Sequence, residues 1–220
     1  MIGPLRRVAE RFRQRTYALG EMDLRLAAIL GKRRGVFVEA GANDGFAQSN
    51  TAYLERHRGW SGLLIEPIPE LHRRCVINRP RCKVEHAALV PLGYPSPSVE
   101  MRYCNLMSLV AGAMKSPEAD AEHVRVGAEV QQVETYTVHV PARPLSDILD
   151  KHAITHVDLL SLDVEGFELQ ALQGLDFARH RPTHLLVEAR FRDEIDRFLA
   201  SRYECVADLS HHDVLYRARR

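Results

Sequence analysis

Short apolar runs alternate with amphipathic stretches along most of this chain. VFVEAG, GLLIEP, KVEHAALV, HVDLLSLDVEG and THLLVEA carry apolar residues at successive positions and predict strands, whereas residues 47–58, 69–79, 144–152 and 167–174 show helical spacing. Such alternation predicts a parallel α/β sheet with crossover helices. Strands apolar on both faces fit a sheet covered on both sides. The tail departs from this rhythm. Tyr203–Ala207 and Val214–Arg217 read as two short strands joined by the polar link DLSHHD, short enough for antiparallel neighbours. Upstream of residue 35, Leu5, Val8 and Phe12 and then Leu24, Ala27, Ala28 and Leu30 predict two amphipathic helices, the second stopped at Gly31.

Between the third strand and the helix at 144–152 the pattern breaks. A strand is expected at 98–104, an irregular or partly helical excursion follows, and QQVETYTVHVPA alternates as another strand. Roughly 40 residues, 92–132, are inserted, and long irregular segments in a compact domain are binding loops and lids or else disordered. The organisation expected is therefore a basic helical arm over 1–34 and one domain over 35–220 carrying this insertion.

Composition narrows the picture. At 220 residues and 45 % hydrophobic content the chain has material for one substantial core. The net charge of +1 gives no overall pull toward nucleic acid or an anionic membrane, although residues 1–34 hold nine basic residues against three acidic ones. No run reaches the ~20 apolar residues of a membrane span, and no secretory signal is evident, so a cytoplasmic protein is expected. Four scattered cysteines, Cys75, Cys82, Cys104 and Cys205, suggest neither a disulfide framework nor a zinc site.

Candidate chemistry begins at VEAGANDG, residues 38–45, the turn from the first strand toward a helix. Ligands of open α/β folds bind at this carboxyl edge, and glycines let backbone approach them closely. The spacing is G-x-x-x-G rather than the dinucleotide G-x-G-x-x-G, and Glu39 and Asp44 beside the loop would repel a pyrophosphate. Acids there suit a cationic ligand. The second strand ends in Glu66, placed to accept hydrogen bonds from both hydroxyls of a ribose. Together the two features point to S-adenosylmethionine, which carries a sulfonium and an ammonium.

VFVEAGANDGFAQSNTAYLE, GWSGLLIEPIPELHRRCVINRP and DLLSLDVEGFELQALQGLDF resemble the FkbM-type family of S-adenosylmethionine-dependent methyltransferases, over about residues 35–90 and 143–190. The resemblance implies a Rossmann-like class I methyltransferase fold, a three-layer α/β sandwich with seven mostly parallel strands and an antiparallel last strand. It also implies O-methylation of sugar or natural-product hydroxyls, with a small-molecule or saccharide acceptor. Glu39, Gly41, Asn43, Asp44, Gly45 and Asn50 would belong to the cofactor loop, Glu66 and Pro67 to the ribose side, His86 and Ala87 to the adenine side, and Asp163 to both cofactor and chemistry.

In DLLSLDVEGFE, Asp163 and Glu165 leave an extended backbone on the same face before Gly166 turns the chain. Glu188 ends the fifth strand nearby. Asp158 and His156, further back, are expected to be structural, and His184 to be core. Methyl transfer to a hydroxyl needs alignment of the reactants and removal of a proton. One of Asp163, Glu165 and Glu188 can act as the base, or the three can supply oxygen ligands to Mg²⁺. His211 and His212 are further candidates if Tyr203–Ala207 is a parallel strand, since the turn after it then emerges at the same carboxyl edge as Asp163. The rivals are a nicotinamide-dependent reductase, opposed by the glycine spacing, and a non-catalytic cofactor-binding subunit, opposed by the intact acids.

Overall fold

β1 (Val36–Ala40) lies at the centre of its sheet because both of its faces are apolar: Phe37 is buried on one side, Val38 and Ala40 on the other. The computed structural model describes residues 16–220. The first expected N-terminal helix, around Leu5, Val8 and Phe12, lies outside them.

Around β1 the chain builds a seven-stranded sheet from β2 (Ser61–Ile65), β3 (Lys83–Glu85), β8 (Leu159–Leu162), β9 (His184–Glu188), β10 (Tyr203–Asp208) and β11 (Asp213–Ala218). The order is β3-β2-β1-β8-β9-β11-β10. All neighbours pair in parallel except β11, which is antiparallel to both β9 and β10. Leu26, Leu54 and Cys75 pack against Phe37, Leu64, Leu159 and Leu186 on one face. Ile148, Leu149, Leu172 and Ile195 pack against Val38, Leu63, Leu160 and Leu185 on the other. This is the three-layer class I methyltransferase arrangement.

α1 (Met22–Leu30), the second expected N-terminal helix, packs on the first face through Met22, Leu26 and Ala27. It stops where Gly31 adopts φ +60° and its N–H returns to the Ala27 carbonyl at 3.2 Å. Asp158 is structural, as expected: it accepts from the Val36 amide at 2.8 Å and pairs with Lys32 and His156.

Two elements differ from expectation. The helix expected at 47–58 begins only at Ala52, because Glu39 and the Ser49 hydroxyl take the amides of Asn50, Thr51 and Ala52 and hold a turn there. The run KVEHAALV is two strands. β3 stays in the main sheet, while β4 (Ala88–Leu89) pairs with β7 (Tyr136–Arg143) in a second sheet of order β4-β7-β5-β6, completed by β5 (Ser98–Tyr103) and β6 (Leu109–Val110). The break falls at His86, whose ring lies 2.8 Å from the Pro67 carbonyl. Within the 92–132 excursion, Pro117–Gln131 forms a helix, its first turn capped by the Ser116 hydroxyl.

A charged network lies beneath the first loop. Arg79 has no exposed surface; it donates to the Gly45 carbonyl at 2.8 Å and to the Thr51 hydroxyl at 3.1 Å, pairs with Glu55, and lies 3.7 Å from Glu39. Burial works against ionised Glu55, but the Arg79 charge and hydrogen bond outweigh it and hold the carboxyl below its ordinary range. Removing the cation strands two buried acids. Arg79→Met is therefore expected to lower unfolding free energy by ~3–5 kcal/mol in urea titration; a loss under ~1 kcal/mol would show that water reaches these acids.

Candidate active site

The carboxyl ends of β1, β2, β8 and β9 open into a cavity of about 360 Å³. One wall is the turn after β1. Gly41 adopts φ +80°, and a Cβ there would lie 1.8 Å from the Asp163 carbonyl, so only glycine lets the ends of β1 and β8 close together. The Gly41 and Ala42 amides donate to the Ile65 carbonyl at 3.1 and 3.3 Å, which fixes the turn against β2. Asn43, at φ +49°, accepts the Asp44 amide on its side chain, and Asp44 in turn accepts the amides of Phe46 and Ala47.

Glu66 stands where β2 ends. Its carboxyl accepts the Asn43 amide at 2.8 Å and the Ile68 amide at 2.9 Å, and burial, set against these two bonds, pushes it up to about 8. Once ionised, the carboxylate would offer about four lone-pair sites, two of them beyond the Asn43 and Ile68 amides and so open to hydroxyl donors.

The opposite wall is acidic. Asp163, Glu165 and Glu188 each place an oxygen within 4.8 Å of the others. Asp163 is exposed to the cavity but enclosed by protein; burial and the charges of Glu188 and Glu165 raise its pKa well above the ordinary value. Burial and Glu165 also raise Glu188, while Arg190 and a hydrogen bond from Asp163 oppose the rise. The interaction between the two carboxyls works in opposite directions, raising Asp163 and lowering Glu188. The Arg190 guanidinium lies 3.0 Å from Glu165 and 3.6 Å from Glu188.

Glu165 and Gly166 turn the chain with φ of +53° and +91°. Buried Glu168 steadies this turn by accepting the Val164 and Gly166 amides on one oxygen, and burial pushes its carboxyl up to about 7. The roof comes from the insertion, including Met101, Leu106, Met107, Val110 and Val130. It meets the first wall where the Asn43 side-chain amide donates to Asn105 at 3.2 Å. Gln131 fastens the roof loop, accepting the Leu106 amide and donating to the Cys104 carbonyl.

Of the residues singled out from sequence, Gly41, Asn43, Glu66, Pro67, Ala87, Asp163, Glu165 and Glu188 line this cavity. Glu39, Asp44, Gly45, Asn50 and His86 do not. Glu39 faces Ser49, Thr51 and Arg79, Asn50 reaches Ser161, and His86 stacks on His72, so these residues act on the walls from behind. β10 does run parallel to β9, yet His211 and His212 sit exposed outside the cavity, their rings packed on each other. Sequence reasoning missed Glu168, Arg190, Asn105 and Gln131. The run VEAR held a signal for Arg190, a cation two residues after a strand-end acid; Asn105 and Gln131 carried none.

The chain matches the model of the methyltransferase FkbM domain over residues 39–215. No curated protein matches it. Among solved structures it is similar to a methyltransferase FkbM from Methylobacillus flagellatus, at 16 % identity and TM-score 0.48, covering 84 % of this chain and 43 % of that one. It is also similar to a protein provisionally described as a caffeoyl-CoA O-methyltransferase from Staphylococcus aureus, at 8 % identity and TM-score 0.51, covering 98 % and 90 %. The chain spans less than half the length of the first structure, and the second likeness is one of fold.

The raised Glu168 carboxyl has a measurable consequence. Between its ordinary 4.5 and about 7 the folded chain holds a proton that the unfolded chain releases, so its contribution to stability falls as pH rises through that window. Glu168→Gln keeps an oxygen for both amides without titrating. Wild type and variant should unfold alike near pH 4, with the variant more stable by ~2–3 kcal/mol near pH 8. Parallel pH profiles in denaturant titrations would refute this.

Proposed function

The chain belongs to the methyltransferase FkbM domain family, and from that premise we propose that it transfers a methyl group from S-adenosylmethionine to a hydroxyl of a sugar or a glycosylated metabolite. The observation that carries this reading is the arrangement of one cavity between Glu66 and the Asp163–Glu165–Glu188 cluster. The residues fit the cofactor. Glycine at 41 keeps the turn after β1 close against Asp163 at the edge of the cavity, Glu66 when ionised has acceptor capacity for two ribose hydroxyls, and the acids favour a cation over a pyrophosphate. When bound, the cofactor supplies an electrophilic methyl on a positively charged sulfur.

The residues of the chain would align the acceptor and take its proton. Glu188 is the candidate base: burial and Glu165 raise it toward a useful range, and it borders the cavity. Asp163 would orient Glu188 through the interaction between their carboxyls. Apolar roof residues exclude water. The same three acids favour a second reading, in which Mg²⁺ bound by their oxygens orients the hydroxyl and lowers its pKa. Among the described residues no helix is long and apolar enough to cross a membrane.

Calorimetry separates this function from the reductase alternative. S-adenosylhomocysteine should bind with a micromolar dissociation constant and NADH should not; the reverse would overturn the reading. Glu66→Ala should weaken S-adenosylhomocysteine by roughly 1.5–3 kcal/mol and also lower stability, because the Asn43 and Ile68 amides lose their acceptor. Turnover with a saccharide acceptor, followed as S-adenosylhomocysteine formation, should withstand EDTA. Collapse under EDTA and recovery with Mg²⁺ would transfer the role to the metal.

A further inference from the structure

We propose that Arg190 is the built-in cation of the acidic wall, holding the position a divalent metal would otherwise take among Asp163, Glu165 and Glu188 and turning its positive charge toward the acceptor oxygen. This rests on the methyltransferase reading and deepens it by naming the group that binds the reacting hydroxyl. Three carboxyl oxygens within 4.8 Å of one another repel unless a cation or a proton lies among them. The guanidinium is that cation, since one nitrogen reaches Glu165 at 3.0 Å and Glu188 at 3.6 Å. The His123 ring lies 3.3 Å from the same Glu165 oxygen that Arg190 contacts, so two nitrogens converge on that carboxyl.

The exposed part of the side chain indicates its use. Arg190 lines the cavity and keeps 29 % of its side chain exposed, so part of the cation faces the space beside Glu188, where a hydroxyl losing its proton to Glu188 would lie. In the transfer that proton passes to the Glu188 carboxylate, the oxygen–methyl bond forms, and the electron pair of the broken carbon–sulfur bond stays on sulfur. A positive guanidinium facing the oxygen stabilises the negative charge developing there, a task a metal ion performs elsewhere.

Removing the arginine should therefore create a metal site. The full chain, its Arg190→Met variant and its Arg190→Lys variant would each be titrated with Mn²⁺ alone near pH 8, following the free-ion electron paramagnetic resonance signal. S-adenosylhomocysteine binding would be measured on the same samples. Arg190→Met should bind Mn²⁺ at least ~10-fold more tightly than wild type, because a positive charge about 4 Å away no longer opposes it. Arg190→Lys, which keeps the charge, should stay close to wild type, and Arg190→Gln serves as the removal variant if the methionine does not fold. Equal Mn²⁺ affinity in wild type and removal variant, whether tight or weak, would overturn the proposal. Failure of S-adenosylhomocysteine to bind wild type would instead overturn the functional reading.

Discussion

A buried guanidinium governs this molecule more than any apolar contact. Arg79 touches the carbonyl of Gly45, the hydroxyls of Ser49 and Thr51 and the carboxyls of Glu39 and Glu55, and so gathers the end of β1, the loop that follows and the next helix around one charge. None of these groups can turn to water. The loop between Gly41 and Thr51 consequently has few ways to arrange itself, and the amides of Gly41, Ala42 and Asn43 are carried to their places against β2 and Glu66. A ligand meeting that loop meets a surface organised beforehand, which reduces the ordering cost of binding.

The acidic wall is built on a different principle. There the charges are close and underpaired, and three devices contain their repulsion: the hydrogen bond between Asp163 and Glu188, the guanidinium of Arg190, and amides donated to Glu168. Strain accompanies the arrangement, since Glu165 takes a left-handed backbone that side chains seldom adopt. Stability given up at such a spot is commonly a mark of function, because crowded acids titrate where chemistry near neutral pH can use them.

The central strands were legible because hydrophobic periodicity reports burial directly: Phe37, Leu64 and Leu160 sit in runs that could hardly be anything but strands within a covered sheet. Glu66, Asp163 and Glu188 were legible as residues facing one cavity because a strand end followed by a turn fixes where a side chain emerges. Glu39 shows the limit of that logic, since a strand-end acid can equally point backward into a buried network. The split at His86 and the late start of the helix at Ala52 were not legible, because each is decided by a hydrogen bond to a residue distant in sequence or to a turn hydroxyl. The roof was hidden for the same reason: Asn105 and Gln131 matter only through partners that the fold brings to them.

The contact between Asn43 and Asn105 joins two parts of the molecule with separate origins, the loop after β1 and the insertion after β4. A ligand that shifted the loop would act on the roof through this one amide, and any such coupling runs equally in both directions. Under the methyltransferase reading, a cofactor beside the loop and an acceptor beneath the roof would then be linked through the protein, even before they touch each other.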